Sequence, residues 1–220
     1  LTSRLPDFQH LIMMIPAVLM AFTFHEFGHA WVATLLGDDT PRLQGRLTLS
    51  PLAHLDPMGT LLIFLAGFGW AKPVQVNTSK LRPRVWGDIA VSLAGVGMNL
   101  ILALVFYFLT VLGYKGLLFG YYNDVLNETL FEVVWINVVL IGFNLIPLPP
   151  LDGFHVARYL FPRSAGGVVD TIQRMGPFIL MLLFITPYAG AFLRPILDGI
   201  LSGVHAVVYP VVRLLFPSVL

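Results

Sequence analysis

The chain has 220 residues, 57% of them hydrophobic and only 11% charged, where soluble domains carry about a quarter charged residues. That balance describes a membrane protein, and at about 20 residues per apolar span the length allows several spans and little else. A net charge of +1 gives no reason to expect a nucleic-acid partner, and with no cysteine a metal site has only histidine and carboxylate to draw on.

In chain order, the first span is expected at about residues 11–36, ended by GDDTP, in which glycine, aspartate and proline stop a helix. No small-residue cleavage pattern follows the apolar run, and the apolar character continues through AWVATLL, so the run is read as a retained helix and not a signal peptide. Residues 58–70 are apolar, glycine-rich and too short to cross, which predicts a re-entrant segment. PVQVN, from Pro73 to Asn77, alternates Val74 and Val76 about Gln75 and reads as a short edge strand or hairpin. Further spans are expected at about 89–112, 130–145, 177–192 and 196–216, the last two interrupted by prolines. The fold class is therefore an all-α polytopic membrane protein with about five transmembrane helices plus a re-entrant segment.

Loop charge sets the orientation. Lys72, Lys80, Arg82 and Arg84, and the arginines between 158 and 174, mark cytoplasmic stretches, whereas residues 113–127 carry one lysine and face out. Arg42 and Arg46 place the loop after the first span inside, so residues 58–70 leave and return on the same side.

The first span contains FHEFGH. On a helix His25 and His29 are one turn apart and face the same way, with Glu26 turned about 100° from His25. Two imidazoles at that spacing can bind one zinc ion, and the glutamate between them can take a proton from activated water. A charged side chain near the bilayer centre costs about 3 kcal/mol on insertion scales, so something must offset it. Metal coordination does so for the histidines and a water-filled cavity for the glutamate; a buried polar packing network is the other reading. At 1.5 Å per residue from Leu36, the two histidines lie about 10 to 16 Å inside the cytoplasmic end of the helix.

A catalytic zinc takes three protein ligands and keeps a position for water. Among the remaining carboxylates Asp152 stands apart, in FNLIPLPPLDGFH, because Pro147, Pro149, Pro150 and Gly153 put irregular backbone at membrane depth. Such backbone is tolerated when packed in protein or lining a cavity, although Asp152 could also simply cap the helix that follows. His54, in AHLDP, either reaches the site from the re-entrant segment or bonds a loop carbonyl. His155 is read as packing on the helix after Asp152, and His205 as a span-end residue.

HEFGH on the first span, followed by NLIPLPPLDG on a later one, resembles the site-2 protease family of intramembrane zinc metalloproteases, in a short form without PDZ or nucleotide-binding domains. The similarity runs from about residue 12 to 161 and takes in SPLAHLDPMGTLL and GFGWAKPVQVN. The resemblance implies that His25, His29 and Asp152 hold one zinc ion, that Glu26 is the general base, and that Asn144 orients the substrate peptide or the oxyanion. In SLAGVGMNL, Val96 stands where the family commonly has a proline, before the asparagine that corresponds to Asn99, a residue near the site. One domain over 1–220 is expected, with a catalytic core at about 11–161 and C-terminal helices at about 176–216. The implied partners are transmembrane protein substrates and the lipid bilayer, in a prokaryotic inner membrane with the site nearer the cytoplasm. Residues Val74, Gln75 and Val76 would hold an extended substrate by main-chain pairing. A metal-ion transporter, or a catalytically silent membrane chaperone of the same fold, are the competing readings.

Overall fold

Apolar sequence in a bilayer folds as helix because every backbone N–H and C=O must find its partner within the segment. A computed structural model describes residues 8–66, 69–118, 124–186 and 188–217. Helix α1 covers Phe8–Leu35. Two short helices, α2 (Thr40–Leu43) and α3 (Pro51–His54), lead to α4, Pro57–Ala66. Then come α5 (Arg84–Tyr114), α6 (Asp124–Asn144), the short α7 (Asp152–Ala157), α8 (Gly166–Ile185) and α9 (Tyr188–Leu215).

Against the expectation of about five spans, four helices among the described residues are long and apolar enough to cross a membrane: α1, α5, α6 and α9. The expected span at 177–192 instead takes in the end of α8 and the start of α9. Proline misled the boundaries: Pro177 lies inside α8, and Pro195 and Pro210 lie inside α9. A membrane helix tolerates proline where neighbouring groups take up the freed backbone.

The stretch expected to be re-entrant starts with the ten-residue α4; Gly67 and Phe68 within it lie outside the described residues. An isolated antiparallel bridge joins Leu55 to Ala71, and the Lys72 N–H donates to the His54 carbonyl at 2.8 Å. The Arg46 guanidinium donates to the carbonyls of both Ala53 and Lys72. The chain therefore returns after α4 to the place it left.

No strand forms among the described residues, so the edge strand expected at 73–77 is corrected to an irregular segment. The physical reason is a lack of backbone partners. Side chains supply the acceptors instead: the Val74 N–H goes to Glu26 Oε2 at 2.9 Å and the Asn77 N–H to Asp38 Oδ2 at 2.6 Å. The alternation survives in burial, with Val74 and Val76 half-buried and Gln75 and Asn77 exposed. Asp38 is buried at the end of α1, and burial works against its charge. Hydrogen bonds from Thr40 and Asn77, with Lys80 nearby, nevertheless hold its carboxyl below the usual carboxylate range.

Helices α1, α5 and α6 pack mutually, and α9 closes against α5 and α6. A cluster including Leu112 of α5, Val134 and Val138 of α6, and Val204, Val208 and Val212 of α9 forms the larger core. Lipid tails would solvate these side chains as well as protein does, so close packing holds the helices together here. Gly153 shows how tight the α6–α7 turn is: a Cβ there would lie 2.5 Å from the Leu145 carbonyl oxygen and 2.6 Å from that of Ile146.

Candidate metal centre

His25, Glu26 and His29 share the interior of α1 and are 6%, 7% and 9% exposed. Each histidine has its Nδ1 occupied, by Asn99 Oδ1 at 2.6 Å for His25 and by the Val91 carbonyl at 2.7 Å for His29. Both partners accept, so both Nδ1 atoms carry the hydrogen and both Nε2 atoms keep a lone pair.

Those two lone pairs face each other at 3.0 Å. Asp152 Oδ2 joins them at 3.3 Å from His25 Nε2 and 3.4 Å from that of His29. That oxygen is buried with no hydrogen-bond partner among the described residues. Three acceptors thus converge with no donor between them, a set that could hold a metal ion. Tetrahedral ligands at zinc distances of 2.0–2.2 Å lie about 3.3 Å apart, which the observed separations match.

The lone α5 glycine facing this pair explains how α5 comes so close. A Cβ at Gly95 would lie 2.5 Å from His29 Nε2 and 2.6 Å from His25 Cε1. Asp152 is delivered from the other side by the first turn of α7, after the irregular stretch that follows Asn144. A cavity of about 350 Å³ opens beside the three, lined also by Glu26, Asn144 and Gln75. Asn144 spends one amide hydrogen on the Leu140 carbonyl at 3.0 Å; its second N–H and its oxygen remain.

The other residues singled out in the sequence fall as follows. Val74 and Val76 line the same cavity, and so does half-buried His155, whose imidazole burial and Arg158 push below its usual pKa. Asn99 is fully buried against His25. Val96, the departure from the family proline, lies in an uninterrupted α5. His54 is buried and is not among the residues lining the cavity, its Nε2–H donating to the Thr48 carbonyl at 2.7 Å. His205 pairs with the Tyr107 hydroxyl at 2.8 Å.

Two features escape sequence reading. Asp88, near the start of α5, is 3% exposed and lines the cavity. It accepts from the Arg158 guanidinium and, at 2.8 Å, from the Tyr159 hydroxyl, tying the chain just after α7 to α5. Asn137 of α6 is fully buried and bonded to Asn99 at 2.7 Å. Its only sequence signal is its place two turns before Asn144, on the same face of α6.

Structural zinc sites close with four protein ligands, whereas hydrolytic ones keep a position open. Three side chains that could hold a metal ion, a neighbouring glutamate and an open cavity, among helices apolar enough to span a bilayer, match a helical membrane protein with a metal site of the hydrolytic type. The chain belongs to peptidase family M50, the site-2 protease family, whose family model matches residues 13–125 and 121–185. It is 41% identical over 206 residues to YwhC of Bacillus subtilis, named as a candidate zinc metalloprotease, covering 90% of this chain and 93% of that protein. Rip2 of Mycobacterium tuberculosis, similarly named, is 31% identical over 200 residues, 88% of this chain and 71% of the other. MJ0611 of Methanocaldococcus jannaschii, also so named, is 31% identical over 164 residues, 70% of this chain and 74% of its own length. No solved structure gives a significant match.

Proposed function

We propose that this chain is an intramembrane zinc protease that hydrolyses peptide bonds in or near transmembrane segments of other proteins. The observation that carries the proposal is the convergence of His25 Nε2, His29 Nε2 and Asp152 Oδ2 within 3.0–3.4 Å, on spanning helices, beside Glu26. Zinc held by those three atoms would supply Lewis acidity and bring the pKa of water to about 7. Glu26 accepts the proton of the attacking water and passes it to the leaving amine. The free N–H of Asn144 donates to the developing oxyanion.

A helical substrate hides its carbonyls in its own hydrogen bonds and must be unwound locally before attack. Residues 73–77 are suited to hold the unwound segment, because the backbone groups of Gln75 and Val76 make no hydrogen bond among the described residues and the Val74 N–H rests on Glu26. An extended substrate pairing with this segment takes over the Val74 N–H and releases the Glu26 carboxylate for proton transfer. Proline at Gln75 and Val76 is expected to lower cleavage about 10-fold or more with zinc content unchanged; unchanged cleavage in the folded variant would remove this role. The loop charges support a site nearer the cytoplasmic face of the membrane.

The test is reconstitution of the purified protein with a panel of model transmembrane substrates, with cut sites mapped by mass spectrometry. Cuts inside or at the cytoplasmic edge of the apolar segment are expected. Zinc bound without cleavage of any substrate, together with zinc uptake into vesicles, would overturn the protease reading in favour of a transporter.

A further inference from the structure

A chain of buried amides runs from the metal set into α6. Asn137 Nδ2 donates to the Val133 carbonyl at 2.7 Å. Asn99 Nδ2 donates to Asn137 Oδ1 at 2.7 Å and to the Ala21 carbonyl at 3.1 Å. Asn99 Oδ1 then accepts from His25 Nδ1 at 2.6 Å. Both asparagines are fully buried, so no water competes for these groups.

The polarity of the chain is fixed at its ends. The Val133 and Ala21 carbonyls can only accept, so they must meet the NH2 groups of Asn137 and Asn99. Rotating the Asn99 amide would set its oxygen against the Ala21 carbonyl and its NH2 against His25. Rotating that of Asn137 would set its oxygen against the Val133 carbonyl and its NH2 against that of Asn99. With both amides locked, His25 Nδ1 has an acceptor and must carry the hydrogen, which leaves Nε2 as the bare nitrogen a metal needs.

We infer that Asn137 is a positioning residue for the metal site: through Asn99 it sets the tautomer and ring orientation of His25, although it touches neither the metal ligands nor the cavity. Three helices are coupled by it, since Asn99 on α5 bonds α1 twice and α6 once. Sited at membrane depth, an unsatisfied amide costs several kcal/mol, so the alternative rotamers are scarcely populated while both asparagines are present. Removing Asn137 takes away the shorter of the two acceptors that hold the Asn99 NH2 and leaves the Ala21 carbonyl at 3.1 Å as its sole lock, so the turned amide, with the His25 hydrogen on Nε2, becomes more populated.

The inference rests on His25 being a zinc ligand, and the experiment separates the two. Zinc affinity is measured by chelator competition on purified wild type, His25→Ala, Asn137→Leu and Asn137→Asp, with thermal unfolding of the metal-free proteins alongside. Neutral aspartic acid keeps an acceptor for Asn99 and an O–H for the Val133 carbonyl, so Asn137→Asp is the rescue variant. Asn137→Leu is expected to bind zinc about 10 to 100-fold more weakly, and Asn137→Asp close to wild type. If His25→Ala lowers zinc affinity but Asn137→Leu does not, the positioning role is wrong and the ligand assignment stands. If His25→Ala leaves affinity unchanged, both fail. Equal loss in the leucine and aspartate variants, matched by equal loss of metal-free stability, would show Asn137 to be a packing residue only. Should Asn137→Leu not fold, Asn137→Ala carries the same test without added bulk.

Discussion

Helices α1 and α9 are each 28 residues long, and their apolar windows have mean hydropathies of 1.6 and 1.5. By the measures that identify a span they are near twins. Their surroundings differ: 44% of the α1 window is buried inside the protein, against 17% of the α9 window. The charged residues follow that difference. On α9, Arg194 and Asp198 are 84% and 64% exposed and 3.9 Å apart, whereas on α1 Glu26 and the two histidines are buried and aimed at partners from α5, α7 and the 73–77 segment. A span tolerates charge at its exposed ends at little cost; charge in its buried middle persists only where other elements have been built to receive it.

That contrast is strongest at the proposed ligands themselves. Asp152→Ala removes the acceptor that faces both Nε2 atoms, and zinc affinity should fall by more than the 10 to 100-fold typical of a supporting residue, with cleavage lost; elemental analysis and a substrate assay check it. Next comes Gly95→Ala. The added methyl meets His29 Nε2 at 2.5 Å, so α5 must move away, with an expected loss of about 1–3 kcal/mol and weakened zinc binding, read by thermal unfolding and chelator competition. Arg158→Ala leaves Asp88 buried without its guanidinium and should cost about 1–3 kcal/mol; Arg158→Lys recovers only part, because the ammonium cannot reproduce the planar fork. The smallest effect belongs to α9: replacing Arg194 and Asp198 together by alanine should change stability by less than about 0.5 kcal/mol and leave zinc content untouched. A large loss there would mean that the two helices are not divided as described.

Helical periodicity brought His25 and His29 onto one face, and the prolines before Asp152 marked irregular backbone at membrane depth. The residues alone left Asp152 open as a helix cap, and its place with the histidines was read from the resemblance to the site-2 protease family. The four spans α1, α5, α6 and α9 were legible from hydropathy, though their ends were not. Proline was read as an interruption, but Pro177, Pro195 and Pro210 are carried inside helices. The valine alternation at 73–77 was taken for a strand, yet alternation specifies only which side chains face inward; pairing needs a neighbouring backbone, and here Glu26 and Asp38 occupy the donors. Asp88 and Asn137 were missed for a related reason. Nothing in a one-dimensional pattern tells a carboxylate at a span's end from one folded under Arg158, or an asparagine on a helix face from one locked between two other helices.

The measurement that tests the central claim most directly compares wild type with Glu26→Gln, recording bound zinc and cleavage of transmembrane substrates on the same preparations. An amide at this position still accepts from the Val74 N–H, so the fold and the three ligands should be undisturbed. Equal zinc in the two proteins, with cleavage lost in the variant alone, is the expected result. Cleavage at the wild-type rate by the zinc-loaded variant would contradict it, because no other carboxylate lies on α1 beside the metal set to take the proton.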